Sequence, residues 1–483
     1  MDWQQWTGKF WTALSLPHPW KNHFHFAMPF GNTLRPAGMI FWKDVWHIFF
    51  LWTATDTSSL YWLHTTTRDF VHFGLPEPVT GCEPAPAFLP GCVIRQENTL
   101  GLWYTRQLTL AAGEKAGCCQ QQAIWSRTFF AEQSLSLPSL PDGYRSQLQN
   151  PYLFVRQGQR YLLFGAQAED GRGCILLARE QGDVWEFLGE LRTQLGSFGH
   201  IWEQPQLLRF GDHDVLFLCA QGVAPKEYDC QNLCQAGYLV GQFSSAAKEL
   251  LHGSFQELDR GFDFYAPQVS CHEGRVLLLG WMGMPGREAQ YPVDEAGCRY
   301  TMTLPRELRL RRGHIYAEPA RELKDLRLAD HMQEFAEEDT AAHSLTLPNG
   351  AEVFLSLQLG HAQQLMISLV YGEECLLFRY DRPRQLMQID RMGMHRGGRG
   401  VRTFRLYSDD VLLGHFFIDK TAVEVFFQNG EQTAAIQVFP EKDILPELTL
   451  QADAVLPEVT GCVWQLDTLH FTEQPCFAGH IDI

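Results

Sequence analysis

The chain has 483 residues, of which 45% are hydrophobic, 13% aromatic and 20% charged. This composition is typical of globular proteins, and the length is sufficient for two domains. The 39 basic and 56 acidic residues give a formal net charge of −17. Nucleic acid and anionic membranes are therefore disfavoured as partners, because both repel an acidic surface.

The N-terminus and the most apolar stretch bear on localisation. The opening residues MDWQQWTGKFW have no basic start followed by an apolar run, so we expect no secretory signal. Residues 38–52 are the most apolar stretch, but Lys43, Asp44 and His47 interrupt them. Since a membrane-spanning helix needs about 20 apolar residues, we expect a cytoplasmic protein with no membrane partner.

The 13 cysteines are odd in number and irregular in spacing, which indicates reduced thiols rather than a disulfide framework. Cys230 and Cys234 are separated by three residues, and Cys118 and Cys119 are adjacent. Neither pair has a second Cys/His pair at the spacing of a zinc site, so we expect no metal and no cofactor.

One unit recurs along the first two thirds of the chain: an apolar strand, a polar turn and a second apolar strand. Five copies begin at Gly38, Phe88, Tyr152, Leu207 and Val269. Each interval between copies is long enough for about four strands, as in one blade of a β-propeller. We therefore predict an all-β fold, in which a five-bladed β-propeller occupies residues 23–322 after an N-terminal extension over 1–22.

The composition changes near Leu323. Residues 323–345 are charged and contain no Pro or Gly, which predicts a helical linker. Short alternating strands with frequent turns follow, and this pattern predicts a C-terminal β-sandwich over 346–483. Within it, the Gly-rich segment 395–400 (HRGGRG) is either an anion-binding loop or, as we favour, the tip of a hairpin.

A proline accompanies short polar or small residues just before each of the five hairpins, as suits the start of a strand. In a propeller the innermost strands converge on one end of the central axis. Five residues of these segments would then share one pocket: Arg35, Glu83, Asn150, Glu203 and Gln268. The alternative is that the segments are five unrelated turns whose polar residues face solvent.

Several longer motifs occur in a fixed order: WEQPQL, ELDRGFDFYAPQ, GWMGMP, TLPREL and DKTAVEVFF. With the propeller and sandwich pattern, they resemble glycoside hydrolase family 32, in particular its bacterial sucrose-6-phosphate hydrolase branch. The resemblance extends from His23 to about Pro440. It implies retaining hydrolysis, in which one carboxylate attacks fructose and a second, about 5–5.5 Å away, protonates the leaving oxygen.

The resemblance also implies that the catalytic positions are altered. The family's nucleophile lies in a Trp-Met-Asn-Asp-Pro-Asn-Gly segment, but here residues 32–38 read NTLRPAG and Arg35 takes its position. A guanidinium stays protonated and cannot form a glycosyl ester. The family's Arg-Asp-Pro motif becomes Gln149-Asn150-Pro151, so Asn150 replaces the transition-state stabiliser. The acid/base position keeps its carboxylate, Glu203.

Further positions that hold fructose in the family have changed. The family's Ser-Gly-Ser segment corresponds to residues 84–86, which read PAP here, and a Gln of the family corresponds to Leu51. A Trp and a His of the family are kept as Trp62 and His64. The substrate-binding positions that we expect in the pocket are Trp62, Gln149, Trp202, Glu83, Tyr265 and Gln268.

Three functions stay open. The first, which we favour, is a saccharide-binding or regulatory homologue that lacks normal retaining hydrolysis. The second is an active glycosidase on sucrose, sucrose 6-phosphate or a related sugar, with Glu203 as acid/base and Glu83 as a relocated nucleophile. The third is a protein-interaction scaffold.

Arg35 bears on both the ligand and Glu203. An arginine in the pocket favours an anionic ligand, so the expected partner is a small saccharide, preferably a phosphorylated one. The alternative for Glu203 is an inherited residue that pairs with Arg35, which would hold that carboxyl in its charged form, against what a proton donor requires. The sequence alone leaves this contact open.

Overall fold

Each predicted hairpin forms the two innermost strands of one antiparallel sheet, and the five sheets are the blades of a propeller. We describe them in a computed structural model over residues 3–54, 60–79, 88–109, 115–126, 129–135, 137, 140–145, 147–293 and 297–473. The all-β fold, with a five-bladed propeller followed by a β-sandwich, is confirmed. In the first hairpin, Lys43 and Asp44 have φ of +50° and +64°, as a two-residue type I′ turn requires.

The blades follow one another in chain order, each with its first strand innermost. Blade 1 contains Asn32–Trp42, Val45–Thr53, Leu60–Thr67 and His72–Gly74, with Glu77–Pro78 paired to its third strand. Blade 2 contains Phe88–Gln96, Thr99–Thr109, Lys115–Ser126 and Phe129–Ser134. Blade 3 contains Gln149–Arg156, Gln159–Gln167, Gly173–Gln181 and Val184–Glu190.

The last two blades each carry one additional short strand. Blade 4 contains Ile201–Phe210, His213–Gln221, Cys234–Ser244 and Glu249–His252, with Gln256–Glu257 paired to its third strand. Blade 5 contains Tyr265–His272, Arg275–Met282, Arg306–Arg311 and His314–Pro319, with Thr301–Met302 paired to its second strand. Two 3-10 turns, Glu288–Gln290 and Arg321–Leu326, lie within and after blade 5.

Residues before the first strand belong to the propeller core. The helix Trp3–Ser15 presents Trp6 and Phe10 to blade 1, where both are buried. The Trp6 indole N–H donates to the Pro76 carbonyl at 2.7 Å, which satisfies the polar atom of a buried Trp. None of the helices in the described part of the chain has the length and apolarity needed to span a membrane.

The sandwich is built around two long strands. Its strands are Arg327–Thr346, Ala351–Gln358, Gln364–Tyr371, Glu374–Asp381, Leu386–Gly393, Val401–Arg405, Val411–Ile418, Ala422–Phe427, Gln432–Gln437 and Glu447–Leu466. The strand Glu447–Leu466 pairs with Gln364–Tyr371 through its first half and with Ala351–Gln358 through its second half. It therefore contributes to both layers. The Gly-rich segment 395–400 is the connection between Leu386–Gly393 and Val401–Arg405, so the hairpin-tip interpretation is confirmed.

The prediction of a helical linker is wrong. Only the short 3-10 turn Arg321–Leu326 precedes a strand that runs from Arg327 to Thr346. This strand pairs antiparallel with Glu447–Leu466 from Arg327 to Thr346, with two register shifts. Charge and the absence of Pro and Gly favour helix as a local preference, but pairing with a distant strand overrides that preference.

A buried arginine joins the two domains. Arg306 in blade 5 is 1% exposed, and its Nε and Nη2 donate to one oxygen of the sandwich residue Glu424 at 3.0 and 2.6 Å. Its Nη1 donates to Asp259 at 2.8 Å and to Thr433 at 2.9 Å. A buried charge needs all of these hydrogen-bonded partners, because removing either carboxylate leaves a buried ion without its counter-charge.

His25 extends this interface. Its Nδ1 lies 3.0 Å from Asp419 and its Nε2 lies 3.3 Å from Glu424, with all three side chains buried. Burial by itself would lower the pKa of His25, but the hydrogen bonds and charges of Asp419 and Glu424 outweigh it and raise the pKa to about 8. Protonated His25 therefore helps to hold the sandwich against the propeller.

The inner strands are bulged near their starts. The pairing with the second strand shifts register at Thr33/Pro36, Pro90/Cys92, Gln149/Tyr152, Glu203/Gln206 and Tyr265/Gln268. A proline fits each bulge because it has no N–H to donate. Asn150, Gln204 and Ala266, each directly before the bulge proline, adopt φ of +52°, +50° and +49°. Such strain, about 1–3 kcal/mol per residue, collects at functional sites.

Side-chain amides bond the bulges of neighbouring blades to one another. Asn150, which is 3% exposed, donates from Nδ2 to the Pro90 carbonyl at 2.5 Å, and its Oδ1 accepts from the Gln204 N–H at 3.3 Å. Gln206 donates to the Pro267 carbonyl at 2.7 Å. The amides thus satisfy buried backbone groups that the bulges remove from the ladders.

The interface predicts a specific pH dependence of stability. A His whose folded pKa is raised stabilises the protein below its unfolded pKa, and this contribution is lost as the pH rises through the folded value of about 8. From the shift we expect about 2 kcal/mol to be lost between pH 6 and pH 9. Chemical unfolding of wild type and His25→Gln across this range measures it, with the exposed His361→Gln as control. An equal pH dependence in wild type and His25→Gln would contradict the assignment.

The amide bridge predicts that an acidic residue at position 150 destabilises the fold. Asn150→Asp removes the donor to the Pro90 carbonyl and places a carboxylate against it, so we expect a loss of about 1–3 kcal/mol. Denaturant unfolding of Asn150→Asp, compared with the exposed-turn variant Asn98→Asp, measures this loss. An Asn150→Asp protein as stable as wild type would show that the bridge contributes nothing.

Candidate active site

Glu203 lies at the bulge of blade 4 with both carboxylate oxygens held. Gln221, on the neighbouring strand of the same blade, donates from Nε2 to Oε1 at 2.8 Å. Tyr265, at the start of the blade 5 inner strand, donates its hydroxyl to Oε2 at 2.8 Å. Glu203 is 8% exposed and Tyr265 is fully buried, so the carboxylate has a fixed position across the gap between two blades.

The groups around Glu203 experience its charge. Burial raises the pKa of Tyr265 well above its ordinary value, and the adjacent Glu203 carboxylate adds to the effect. Burial likewise raises the pKa of the Cys219 thiol, with Glu203 adding to the shift and Arg35 opposing it. Cys219 pairs with Glu203 across the strands of blade 4. The charges of Glu203 and Arg35 therefore have opposite effects on the Cys219 thiol.

Arg35 forms no ion pair with Glu203, a contact that the sequence leaves open. Both residues belong to the described part of the chain, and no ion pair within 4.0 Å joins them. The Glu203 oxygens accept from Gln221 and Tyr265 instead. Arg35 is half-buried in the inner strand of blade 1, and no described carboxylate lies within ion-pair distance of it.

Glu203 is the one carboxylate that the five inner strands carry. The strands Asn32–Trp42, Phe88–Gln96, Gln149–Arg156, Ile201–Phe210 and Tyr265–His272 contain no other Asp or Glu. A retaining glycosidase needs two such groups. These described strands can therefore supply a proton donor but not a carboxylate nucleophile.

Gln149 and Gln268 take different places. Gln149 lines an open pocket of about 470 Å³ together with Tyr144, Arg145 and Gln167. Gln268 is buried and donates to the Gln204 side chain at 3.2 Å. The structure thus gives Gln149 access to a ligand, whereas Gln268 and Asn150 both bond to groups of the protein.

The two predicted tryptophans lie in the cores between blades. Trp62 is 2% exposed and packs edge-on against Tyr104 with ring centroids 5.3 Å apart. Trp202 is also 2% exposed, and its indole N–H donates to the Phe198 carbonyl at 2.5 Å. Gly173 leaves room for the Trp202 ring, since a Cβ there would come within 2.4 Å of it. Neither ring offers an open face for stacking on a sugar.

The inner strand of blade 2 begins at Phe88, where the sequence predicts the second hairpin, and its bulge lies at Pro90/Cys92, next to Asn150. Glu83 and residues 84–86, which directly precede this hairpin, lie outside the described residues, so the place of Glu83 in the pocket stays a prediction.

Two residues that the sequence pattern did not single out complete the site. Gln221 orients Glu203, and the register that pairs Gln221 with Ile201 is visible only once the hairpin is aligned residue by residue. Gln204 is 3% exposed, and its Nε2 is a buried donor with no partner among the described residues. A buried donor without a partner is uncommon in folded proteins and is a point where a ligand oxygen can bind.

Every cysteine within the described residues is a free thiol, as predicted for reduced cysteines. Burial raises the pKa of both Cys230 and Cys234 to about 12.

Comparison with known proteins assigns the family. The description "Glycosyl hydrolases family 32 N-terminal domain" matches residues 25–319, and "Glycosyl hydrolases family 32 C terminal" matches residues 322–455. The sucrose-6-phosphate hydrolase of Bacillus subtilis is 30% identical over 445 residues, which cover 89% of this chain and 90% of that protein. The enzyme of the same name from Salmonella typhimurium is 30% identical over 459 residues, or 92% and 93% of the two chains.

Solved structures share the fold. The sucrose-6-phosphate hydrolase of Lactobacillus gasseri has a TM-score of 0.85 at 21% identity, with 97% of each chain covered. The Bombyx mori β-fructofuranosidase has a TM-score of 0.82 at 22% identity, with 97% of this chain and 98% of that chain covered. A mutant of that enzyme was solved in complex with sucrose. This chain belongs to glycoside hydrolase family 32, with its sucrose-6-phosphate hydrolases among the relatives.

Proposed function

We propose that this protein is a saccharide-binding or regulatory member of family 32 that has lost ordinary retaining hydrolysis. The single observation that carries the proposal is the charge pattern at the axis: Glu203 is the one carboxylate on the inner strands, and Arg35 stands in the first of them. Retaining hydrolysis requires a carboxylate nucleophile beside the acid/base, and a guanidinium cannot replace it.

The chemistry of the pocket supports an anionic saccharide as ligand. Arg35 has no described carboxylate partner, and Gln204 keeps an unpaired donor beside Glu203. A guanidinium free to form charge-assisted bonds favours phosphate or carboxylate over a neutral hydroxyl. The relatives named for sucrose 6-phosphate make a phosphorylated sugar the first ligand to test.

One observation favours residual catalysis as a second candidate. Glu203 is retained and oriented by Gln221 and Tyr265, as a working acid/base would be. An active glycosidase would then need a nucleophile from outside the five inner strands, and Glu83 is the candidate. Turnover measurements separate this function from the first.

We expect no hydrolysis at ordinary enzyme rates. With sucrose or sucrose 6-phosphate, release of glucose or glucose 6-phosphate should be on the order of 10⁴-fold or more below that of an active family 32 enzyme assayed in parallel, as for enzymes without their nucleophile. Glu203→Gln should match wild type, and so should the control Glu273→Gln at an exposed turn.

Two results of this assay would contradict the proposal. Turnover at the rate of the active relative, abolished in Glu203→Gln and unaffected in Glu273→Gln, would establish a working glycosidase. If Glu83→Gln then removed the same turnover, the relocated nucleophile would be identified.

We expect Arg35 to set the preference for an anionic ligand. Wild type should bind sucrose 6-phosphate at least about tenfold more tightly than sucrose, because one charge-assisted contact contributes about 1.5–3 kcal/mol. Arg35→Gln should remove the difference, and the exposed Arg68→Gln should not. Titration calorimetry measures both affinities, and equal binding of the two sugars by wild type would contradict this role of Arg35.

A further inference from the structure

A polar cleft of about 570 Å³ separates blade 5 from the sandwich. Its propeller wall comes from the outer strands Arg306–Arg311 and His314–Pro319 and from the 3-10 turn Arg321–Leu326. Its sandwich wall comes mainly from Ala351–Gln358 and Val411–Ile418. The inner strands contribute nothing to its lining, so the cleft is separate from the Glu203 site.

The cleft is basic in an acidic protein. Five cationic side chains line it (Arg309, Arg311, Arg321, Lys324 and Arg327) against three carboxylates (Glu307, Glu318 and Glu352). The chain as a whole carries a net charge of −17. Concave sites with one excess sign focus the potential and concentrate ligands of the opposite charge.

Some of these cations are already neutralised. Arg327 forms a bidentate pair with Glu352 at 2.8 and 2.6 Å and lies over the Trp464 ring at 3.8 Å. Arg309 lies 3.0 Å from Glu307 and 3.5 Å from Glu318, and Arg311 lies 3.8 Å from Glu318. All three carboxylates of the cleft are therefore paired with Arg327, Arg309 or Arg311.

Arg321 and Lys324 are the cations left over. The Nε of Arg321 is 3.9 Å from Glu322, but that carboxylate already accepts a bond from Arg275 at 2.6 Å. Lys324 makes no ion pair within 4.0 Å in the portion of the chain that the structure describes. Both side chains project from the same 3-10 turn on the rim of the cleft.

The opposite side of the cleft offers neutral hydrogen-bonding groups and an aromatic edge. His415 lies 2.7 Å from Glu352, and its ring meets the Phe354 ring edge-on at a centroid distance of 5.8 Å. Asn429 also lines the cleft. Amide, imidazole and carboxylate groups bind hydroxyls, and the aromatic edge suits the apolar face of a sugar ring.

We propose that this cleft is a second ligand site that binds a phosphorylated monosaccharide. The phosphoryl group lies against Arg321 and Lys324, and the sugar hydroxyls face Asn429 and His415. The volume of the cleft is in the range of small-molecule pockets. The proposal does not depend on what the Glu203 site binds, because the two sites share no residue.

The test uses the whole protein and glucose 6-phosphate as the probe, with inorganic phosphate and glucose alongside. We expect wild type to bind glucose 6-phosphate with a Kd of about 1 mM or tighter, at least about tenfold more tightly than either comparison ligand. Arg321→Gln/Lys324→Gln should weaken this binding at least tenfold. The matched control is Arg384→Gln/Lys226→Gln, in which Arg384 is as exposed as Arg321 and lies 3.8 Å from its own carboxylate, Asp381.

Calorimetry gives the affinities, and thermal unfolding of each variant verifies the fold. Arg35→Gln is titrated in parallel, so that binding at the Glu203 site is recognised by its dependence on Arg35 rather than on Arg321 and Lys324. Unchanged affinity in Arg321→Gln/Lys324→Gln, or no binding to wild type, overturns the proposal. Equal affinities for inorganic phosphate and glucose 6-phosphate overturn the assignment of a sugar.

Discussion

The propeller depends on one constraint at its axis. Five inner strands from separate sheets meet side by side there, and their backbone N–H and C=O groups must all find hydrogen-bond partners. Bulges with prolines remove N–H donors, and the side-chain amides of Asn150 and Gln206 bond backbone groups of neighbouring blades, including the Gln204 N–H. Glu203 is fixed within this arrangement by Gln221 and Tyr265. The hydrogen bonds that join the blades at the axis occupy some polar side chains. Only the other polar side chains remain available to a ligand.

The motifs that reveal the family lie mostly at the joint between the domains. Asp259 of ELDRGFDFYAPQ, Arg306 of TLPREL and Glu424 of DKTAVEVFF meet in one buried ionic cluster. Removing one member of such a cluster leaves a buried charge unpaired, which costs several kcal/mol. These residues are therefore needed for stability whether or not the pocket hydrolyses sugar. The family fold is thus compatible with an altered site.

The hairpins can be predicted from the sequence, because alternating apolar strands and polar turns are local signals. The prediction failed at residues 327–346, where pairing with Glu447–Leu466 overrides the local preference for helix. Glu203 was found by its place beside a repeated proline, but its partners Gln221 and Tyr265 follow from register and blade contacts. Contact between Arg35 and Glu203 could not be decided from charge alone, because it depends on register and blade packing, and in the structure the Glu203 oxygens accept from Gln221 and Tyr265.

We expect the pocket to bind a sugar phosphate without hydrolysing it at an ordinary enzyme rate. Nuclear magnetic resonance of isotopically labelled sucrose 6-phosphate with stoichiometric protein reports binding and hydrolysis in the same sample. The resonances of the intact disaccharide should broaden or shift, while the signals of fructose and glucose 6-phosphate should grow on the order of 10⁴-fold or more slowly than with an active family 32 enzyme. Conversion of the labelled sugar at the rate of that active enzyme would contradict this expectation.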